Sequence, residues 1–108
     1  MYLDKMTEIK AYFGTDIQGY DKVTDEAWEA FKVDYIDPEF DCYSVETVMG
    51  RWQGTDEKTF VLSILVTTGS NEVYLTGHKL AEIIETYKDG FDQECVLVTH
   101  TEIKGMFI

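Results

Sequence analysis

The sequence is poor in the residues that build metal centres and disulfide frameworks. Its 108 residues include only two cysteines, two histidines and one proline. Cys42 and Cys95 fit no metal-ligand spacing, because structural zinc is held by close pairs of ligands. They form either one disulfide or, in a reducing compartment, two free thiols. His78 and His100 lie far apart in the chain among polar neighbours. We therefore expect no metal site and no cofactor.

Long apolar runs and catalytic signatures are also missing from the sequence. No window approaches the roughly 18 consecutive apolar residues of a membrane-spanning helix. The first ten residues carry four charged side chains and no apolar signal segment. Gly50, Gly54 and Gly69 stand singly, so they do not form a glycine-rich phosphate loop. These features predict a cytoplasmic protein that is not an enzyme.

Basic residues are scarce as well: 9 Lys and Arg stand against 21 Asp and Glu, which gives a net charge of −12. Proteins bind free nucleic acid through Lys and Arg at the phosphates, so this balance excludes nucleic acid as a direct partner. Anionic membranes are excluded on the same electrostatic ground. The partner that such a charge favours is a basic protein, for example one that itself binds nucleic acid.

Half of the net charge lies in residues 25–41, where seven acids face one lysine. One interpretation is a solvated helix face with capping acids, which serves only solubility. The other is a ridge that imitates nucleic-acid phosphates and occupies a basic groove. On the second, the chain is a small acidic binding protein that inhibits a nucleic-acid-handling protein of host defence. This acidic ridge consists of Asp25, Glu26, Glu29, Asp34, Asp37, Glu39 and Asp41.

The longest apolar β-type run, residues 59–67, organises the rest of the chain. Phe60, Leu62 and Ile64 fall on one face of a strand, and Val61 and Leu65 fall on the other. Both faces are largely apolar, so we expect this strand to lie in the middle of a sheet.

The other elements are predicted from periodicity and from turn and cap residues. Thr24 is a suitable N-cap for a helix, and Pro38 ends that helix because its ring disfavours helical geometry at the preceding residue. A polar connection precedes the helix at residues 18–23. The predicted strands cover residues 8–17, 42–53, 59–67 and 94–103, the helices cover residues 25–36 and 73–87, a bulge lies at 48–50, and a hairpin loop covers 54–58.

This order, β-α-β-β-α-β, predicts a ferredoxin-like α+β fold in a single domain that covers residues 1–108. Right-handed crossovers place both helices on one face of a four-stranded antiparallel sheet, with the first and third strands central.

Each predicted helix shows an apolar stripe at helical spacing. In the first helix the stripe includes Tyr35, and Ile36 is a candidate fourth member. In the second it includes Gly77, where the missing side chain lets the helix approach the sheet closely. The stripes consist of Trp28, Phe31 and Tyr35, and of Val73, Gly77, Leu80, Ile84 and Tyr87.

Residues 87–97 contain the pattern Tyr-Lys-x-x-Phe-x-Gln-Glu-x-Val-Leu. With Tyr12-Phe13-Gly14, Trp28-Glu29-Ala30-Phe31 and Gly50-Arg51-Trp52, this pattern resembles a small uncharacterised bacterial and phage-borne domain family. The resemblance covers about residues 11–98. It implies the same β-α-β-β-α-β fold and no particular activity. Bacterial members carry a leader peptide, and the charged first ten residues suit a phage-encoded variant in the host cytoplasm.

The predicted fold leaves the sheet face opposite the helices uncovered, which leads to a second hypothesis. Two such faces pack together in dimeric α/β barrels and enclose a pocket for a small molecule. On this hypothesis the chain is a homodimer through its open sheet face, and it binds or converts a small molecule. The ligand contacts would be Tyr12, Trp52 and His100.

Overall fold

The structure, a computed structural model, describes residues 3–17, 22–69 and 71–108. The predicted polar connection at 18–23 lies mostly outside the described residues. Within the described residues, no helix is long and apolar enough to cross a membrane. The elements are β1 (Asp4–Gly14), α1 (Asp25–Phe31), a π-helical segment (Lys32–Ile36), β2 (Ser44–Trp52), β3 (Thr55–Thr67), α2 (Asn71–Phe91) and β4 (Leu97–Gly105).

The four strands form one antiparallel sheet in the order β2-β3-β1-β4. The α+β prediction, with the first and third strands in the centre, is confirmed. Phe13 lies opposite Phe60, and Ile9 lies opposite Ile64, so the apolar sides of β1 and β3 share one face. This helix face carries the core. We call the opposite side, which includes Tyr12 and Val61, the outer face.

Aromatic rings fill the core between the helices and the sheet. The Trp28 ring stacks on Phe60 with a centroid distance of 4.6 Å and an interplanar angle of 2°. Phe13 lies 4.8 Å from Tyr87, edge to face. Such aromatic pairs add to the free energy gained by burying their area. The two helices are therefore fixed to the central strands mainly by this cluster.

The first helix begins as predicted and ends differently. The hydroxyl of Thr24 accepts a hydrogen bond from the Ala27 amide at 3.1 Å, which caps the helix. Beyond Phe31 the chain widens into a π-helical segment, where the Asp37 amide donates to the Lys32 carbonyl at 2.8 Å.

The wider turn changes which side chain reaches the core. In an α-helix each residue turns about 100°, so a residue five places on lies roughly 140° away. The π closure brings Ile36 back to the face of Phe31, and both are buried. The prediction that Tyr35 belongs to the core stripe is wrong, because Tyr35 is 46% exposed.

The β2–β3 hairpin is tighter than the predicted five-residue loop. Gln53 and Gly54 form a two-residue turn with φ angles of 47° and 81°, as the twist of a tight hairpin requires. Strand β3 therefore begins at Thr55, and the predicted loop residues 55–58 are part of it. The pairing runs without interruption from Ser44–Ser63 to Trp52–Thr55, so the predicted bulge at 48–50 is wrong.

The second helix is rotated relative to the predicted stripe. Its buried residues are Thr76, Leu80, Ile83 and Tyr87. A side chain added at Gly77 would meet no atom within 4 Å, so the predicted close approach of Gly77 to the sheet is wrong.

The end of this helix also differs from expectation. The helix continues through Gly90 to Phe91, and Asp92 takes the left-handed conformation with φ 52°. The amide of Gln93 then donates to the Lys88 carbonyl at 3.0 Å, which closes a Schellman-type cap. Strand β4 consequently begins at Leu97, three residues later than predicted.

The exposed position of Gly77 gives a stability prediction. Gly77→Ala should raise the free energy of unfolding by about 0.4–1 kcal/mol, because alanine loses less backbone entropy in a helix. Thermal unfolding followed by circular dichroism measures the change. Gly69→Ala is the control with the opposite sign, since Gly69 has a φ of 80° that strains an alanine. A lower melting temperature for Gly77→Ala would show that α2 packs through this position.

Candidate functional site

A cleft of about 480 Å³ opens at one end of the outer face. It forms where β1 ends at Gly14, where the hairpin turns at Gln53 and Gly54, and where the chain leaves α2 at Asp92. Three connections that are far apart in the sequence therefore meet around one space. Its volume is within the range of 300–1,000 Å³ that is typical of small-molecule sites.

The sheet register explains which side chains face the cleft. Tyr12 lies opposite both Val61 and Leu97, and Trp52 lies opposite Thr55, so all of these project from the outer face. Trp52 is 60% exposed, which leaves its ring accessible. Arg51 also borders the cleft, but it precedes Trp52 and projects from the helix face. There its guanidinium donates to Asp56 at 2.8 Å.

Most charges on the cleft wall are those of carboxylates, and the guanidinium of Arg51, which also borders the cleft, is paired with Asp56. Glu57 lies opposite Gly50, and Gly50 is two residues before Trp52 on β2. Residues two apart in a strand share a face, so Glu57 and Trp52 both project from the outer face. Asp16, Asp92 and Glu94 also line the cleft. Lys22 approaches Asp16 at 3.5 Å. Within the described part of the chain, no group of His, Cys, Asp and Glu side chains converges as a metal site. The wall therefore suits a ligand with an organic cation.

The carboxylate of Glu57 has a defined position. Its Oε2 accepts a hydrogen bond from the Asp16 amide at 2.9 Å. Both of its oxygens lie 2.8 Å from the place that a side chain of Gly14 would occupy. The carboxylate thus lies flat against the end of β1 at the wall of the cleft.

The residues predicted as ligand contacts are divided by the structure. Tyr12 and Trp52 line the same cleft. His100 does not join them, because it lies opposite Ile9 and projects from the helix face. Sequence reasoning missed Glu57, which it placed in the hairpin loop. The signal that could have placed Glu57 is Gly54, since a two-residue turn ending there puts Glu57 on the face of Trp52.

The acidic ridge lies on α1, the π-helical segment and the loop that follows. All seven of its residues are exposed. Several of their carboxylates contact side chains of the protein itself. Asp25 pairs with Lys58 at 2.5 Å, and Glu39 approaches Lys79 at 3.7 Å. The hydroxyl of Tyr43 donates to Asp37, and this hydrogen bond raises the pKa of Tyr43 to about 12. The ridge as a contact surface for a basic protein stays a prediction.

Comparison with solved structures shows a shared fold. The chain resembles the structure of a phage SAM lyase in complex with S-methyl-5'-thioadenosine, with a TM-score of 0.57 and 15% identity over 90% of this chain and 81% of that chain. It resembles a phage SAM lyase in the apo state with a TM-score of 0.57 and 17% identity, over 93% of this chain and 81% of that chain. At these identities the likeness shows the fold alone.

Two expectations from the sequence are contradicted by this likeness. The sequence predicts a non-enzymatic inhibitor of a nucleic-acid-handling protein, whereas the solved structures that share the fold are those of an enzyme. The physical reason for the error is that charge and missing motifs do not report a cleft assembled from three separate connections. Both the inhibitor function and the prediction that the chain is not an enzyme are withdrawn.

Comparison with protein families gives a match over residues 8–107, to a family described as "Protein of unknown function (DUF3574)". This range contains nearly the whole sheet and both helices. No curated protein matches the chain.

Proposed function

Because the chain belongs to the DUF3574 family, whose description names no activity, we propose a function from the cleft: it binds S-adenosylmethionine and cleaves a carbon–sulfur bond at the sulfonium. The product that remains in the cleft is S-methyl-5'-thioadenosine. The ligand and the reaction are taken from the names of the solved structures that share the fold. We also propose that the chain is phage-encoded, because both solved structures are named as phage proteins.

The observation that carries the proposal is the carboxylate of Glu57 in a cleft that also contains Tyr12 and Trp52. Aromatic rings stack on purine bases, and the contribution by alanine substitution is about 1–3 kcal/mol per base. A carboxylate attracts a sulfonium through its charge, and the attraction strengthens where water is excluded. The cleft thus offers one surface for each half of an adenosyl sulfonium.

The chemistry of this reaction fits a site without a catalytic motif. When the carbon–sulfur bond breaks, both of its electrons stay on sulfur, and the sulfonium becomes a neutral thioether. Such a leaving group needs no proton from a general acid. A lyase adds no water, so the carbon that sulfur leaves forms its new bond within its own fragment. It bonds to an oxygen of the fragment's carboxylate, which closes a ring, or it forms a double bond to the neighbouring carbon, which releases a proton to solvent. The task of the cleft is then to bind and orient the substrate.

The proposed reaction is tested by incubating the protein with S-adenosylmethionine and measuring S-methyl-5'-thioadenosine by chromatography. Glu57→Gln keeps the shape of the side chain and removes its charge, so we expect the affinity for S-adenosylmethionine to fall about tenfold or more. Trp52→Ala should weaken the binding of S-adenosylmethionine and of S-methyl-5'-thioadenosine by a similar factor, since it removes a stacking surface.

The matched control is Glu46→Gln, which makes the same substitution on the outer face of β2 beyond the cleft. Its affinities should equal those of the wild type. Absence of binding and of product with the wild type would contradict the proposed function. Equal losses in Glu57→Gln and Glu46→Gln would show that net charge, and not the cleft, attracts the ligand.

We further propose that a second copy of the chain packs on the outer face. Leu65 on that face is 44% exposed, and the cleft is open to solvent on the same side. A homodimer through this face would cover Leu65 and exclude water from the cleft. The open sheet face supports this proposal, as it does in the sequence-based hypothesis of a dimeric barrel.

A further inference from the structure

The end of β1, from Gly14 to Asp16, is fixed from several directions. From the helix side, the hydroxyl of Tyr87, which is fully buried, donates to the Gly14 carbonyl at 2.5 Å. The Thr15 hydroxyl donates to the Lys58 carbonyl at 2.7 Å. The side-chain amide of Gln93 donates to the Asp16 carbonyl at 2.6 Å. Hydrogen bonds that involve three side chains thus hold three consecutive residues at the end of β1.

One consequence of this arrangement is a fixed position for the Glu57 carboxylate. The Asp16 amide donates to Glu57, so fixing Asp16 also fixes the direction of that donor. Gly14 leaves the space that the carboxylate occupies, because a side chain there would lie 2.8 Å from both carboxylate oxygens. Oxygen and carbon do not approach so closely, so any side chain at position 14 displaces the carboxylate.

We propose that Gly14 and Tyr87 are positioning residues that hold the Glu57 carboxylate in place and so make the cleft prefer a cation over its neutral counterpart. This inference rests on the proposed function for the identity of the ligand. S-adenosylmethionine carries a positive sulfur, and S-methyl-5'-thioadenosine carries a neutral one on the same nucleoside. The ratio of their affinities therefore reports how well the carboxylate is placed.

The experiment compares Gly14→Ala with Gly50→Ala. Both glycines lie on the outer face at the cleft, but an added side chain at Gly50 meets its nearest atom at an ordinary distance of 3.6 Å. Bulk added to the cleft should affect the two nucleosides alike, so Gly50→Ala should keep the wild-type ratio. In Gly14→Ala we expect the preference for S-adenosylmethionine to fall about tenfold, as a charge-assisted contact is lost. Isothermal titration of both nucleosides gives the ratios.

Tyr87→Phe is a second variant that adds no bulk and lies on the opposite side of the sheet. It should lower the same ratio by a smaller factor, since it frees only the Gly14 carbonyl. Nuclear magnetic resonance of the Asp16 amide supplies a readout without ligand. Its resonance should shift, and its hydrogen exchange should accelerate, in Gly14→Ala and not in Gly50→Ala.

The outcomes separate the inference from the proposed function. If the wild type binds neither nucleoside, the proposed function is overturned and the selectivity inference falls with it. If the wild type prefers S-adenosylmethionine but Gly14→Ala keeps that preference, the inference alone is overturned. Equal changes in the two glycine variants, or an Asp16 amide that does not respond, would also overturn it. The inference is supported if the preference for S-adenosylmethionine over S-methyl-5'-thioadenosine falls in Gly14→Ala and Tyr87→Phe and not in Gly50→Ala.

Discussion

Trp28→Ala should lower the free energy of unfolding by about 3–5 kcal/mol, the range for removing a large aromatic side chain from a core. Trp28 is 2% exposed, and its ring stacks on Phe60 and lies 5.2 Å from Phe13. Its loss leaves a cavity between α1 and the two central strands, and the rigid rings of Phe13 and Phe60 cannot collapse into it. Urea unfolding monitored by circular dichroism measures the change.

The second tryptophan of the chain provides the matched control. Trp52→Ala makes the same substitution at a side chain that is 60% exposed, so its stability should change by about 0.5 kcal/mol or less. The two variants also separate stability from ligand binding, because Trp52 lines the cleft and Trp28 does not. Equal losses of stability in the two variants would contradict the aromatic core described above.

Alkaline pH should destabilise the protein through Tyr87. Burial, with a smaller contribution from the Glu57 carboxylate, raises the pKa of Tyr87 well above its usual value near 10. The folded chain therefore keeps the Tyr87 proton in a range where the unfolded chain releases it. This contribution to stability is complete below about pH 10 and is lost as the pH rises further. The loss is about 1.4 kcal/mol for each pH unit.

The measurement is the urea midpoint between pH 8 and pH 12. Tyr87→Phe starts from a lower stability at pH 8, by about 1 kcal/mol for the missing hydrogen bond. It should then show a flatter decline, and the remaining slope belongs in part to Tyr43, whose pKa is raised to about 12. Tyr74→Phe changes a side chain that is 68% exposed and should keep the wild-type stability at pH 8, which controls for the loss of a tyrosine hydroxyl. A wild-type slope in Tyr87→Phe would contradict the role of Tyr87.

The sheet order could be predicted from the sequence because it depends on few features. The order of elements and the handedness of crossovers leave β1 and β3 in the centre. The phase of each helix was harder to predict. The apolar pattern favours a stripe on α2 that includes Gly77 and Ile84, while packing buries Thr76 and Ile83, each one position earlier. A shift of one residue changes the face of the helix without changing its periodicity.

The candidate site was predictable only in part, because it depends on register. The second hypothesis names Tyr12 and Trp52 as ligand contacts, and both line the cleft. His100 was assigned to the same site although its strand pairing turns it to the other face. Glu57 was missed because Gln53, unusual in a left-handed turn position, concealed a two-residue hairpin. One misjudged turn thus removed the central carboxylate from the predicted site.

Among the described residues, no strand pairs with the outer edge of β2 or of β4, and this has a consequence for self-association. Strands β2 and β4 each have one side that faces away from the sheet, where backbone groups can pair with a strand of another molecule. The net charge of −12 makes two copies repel each other at neutral pH. Near the sequence isoelectric point of about 4.3 that repulsion vanishes while the backbone edges remain. Acidification therefore turns the two edges into sites for strand-by-strand aggregation, and the abundant carboxylates act at neutral pH as gatekeepers against it.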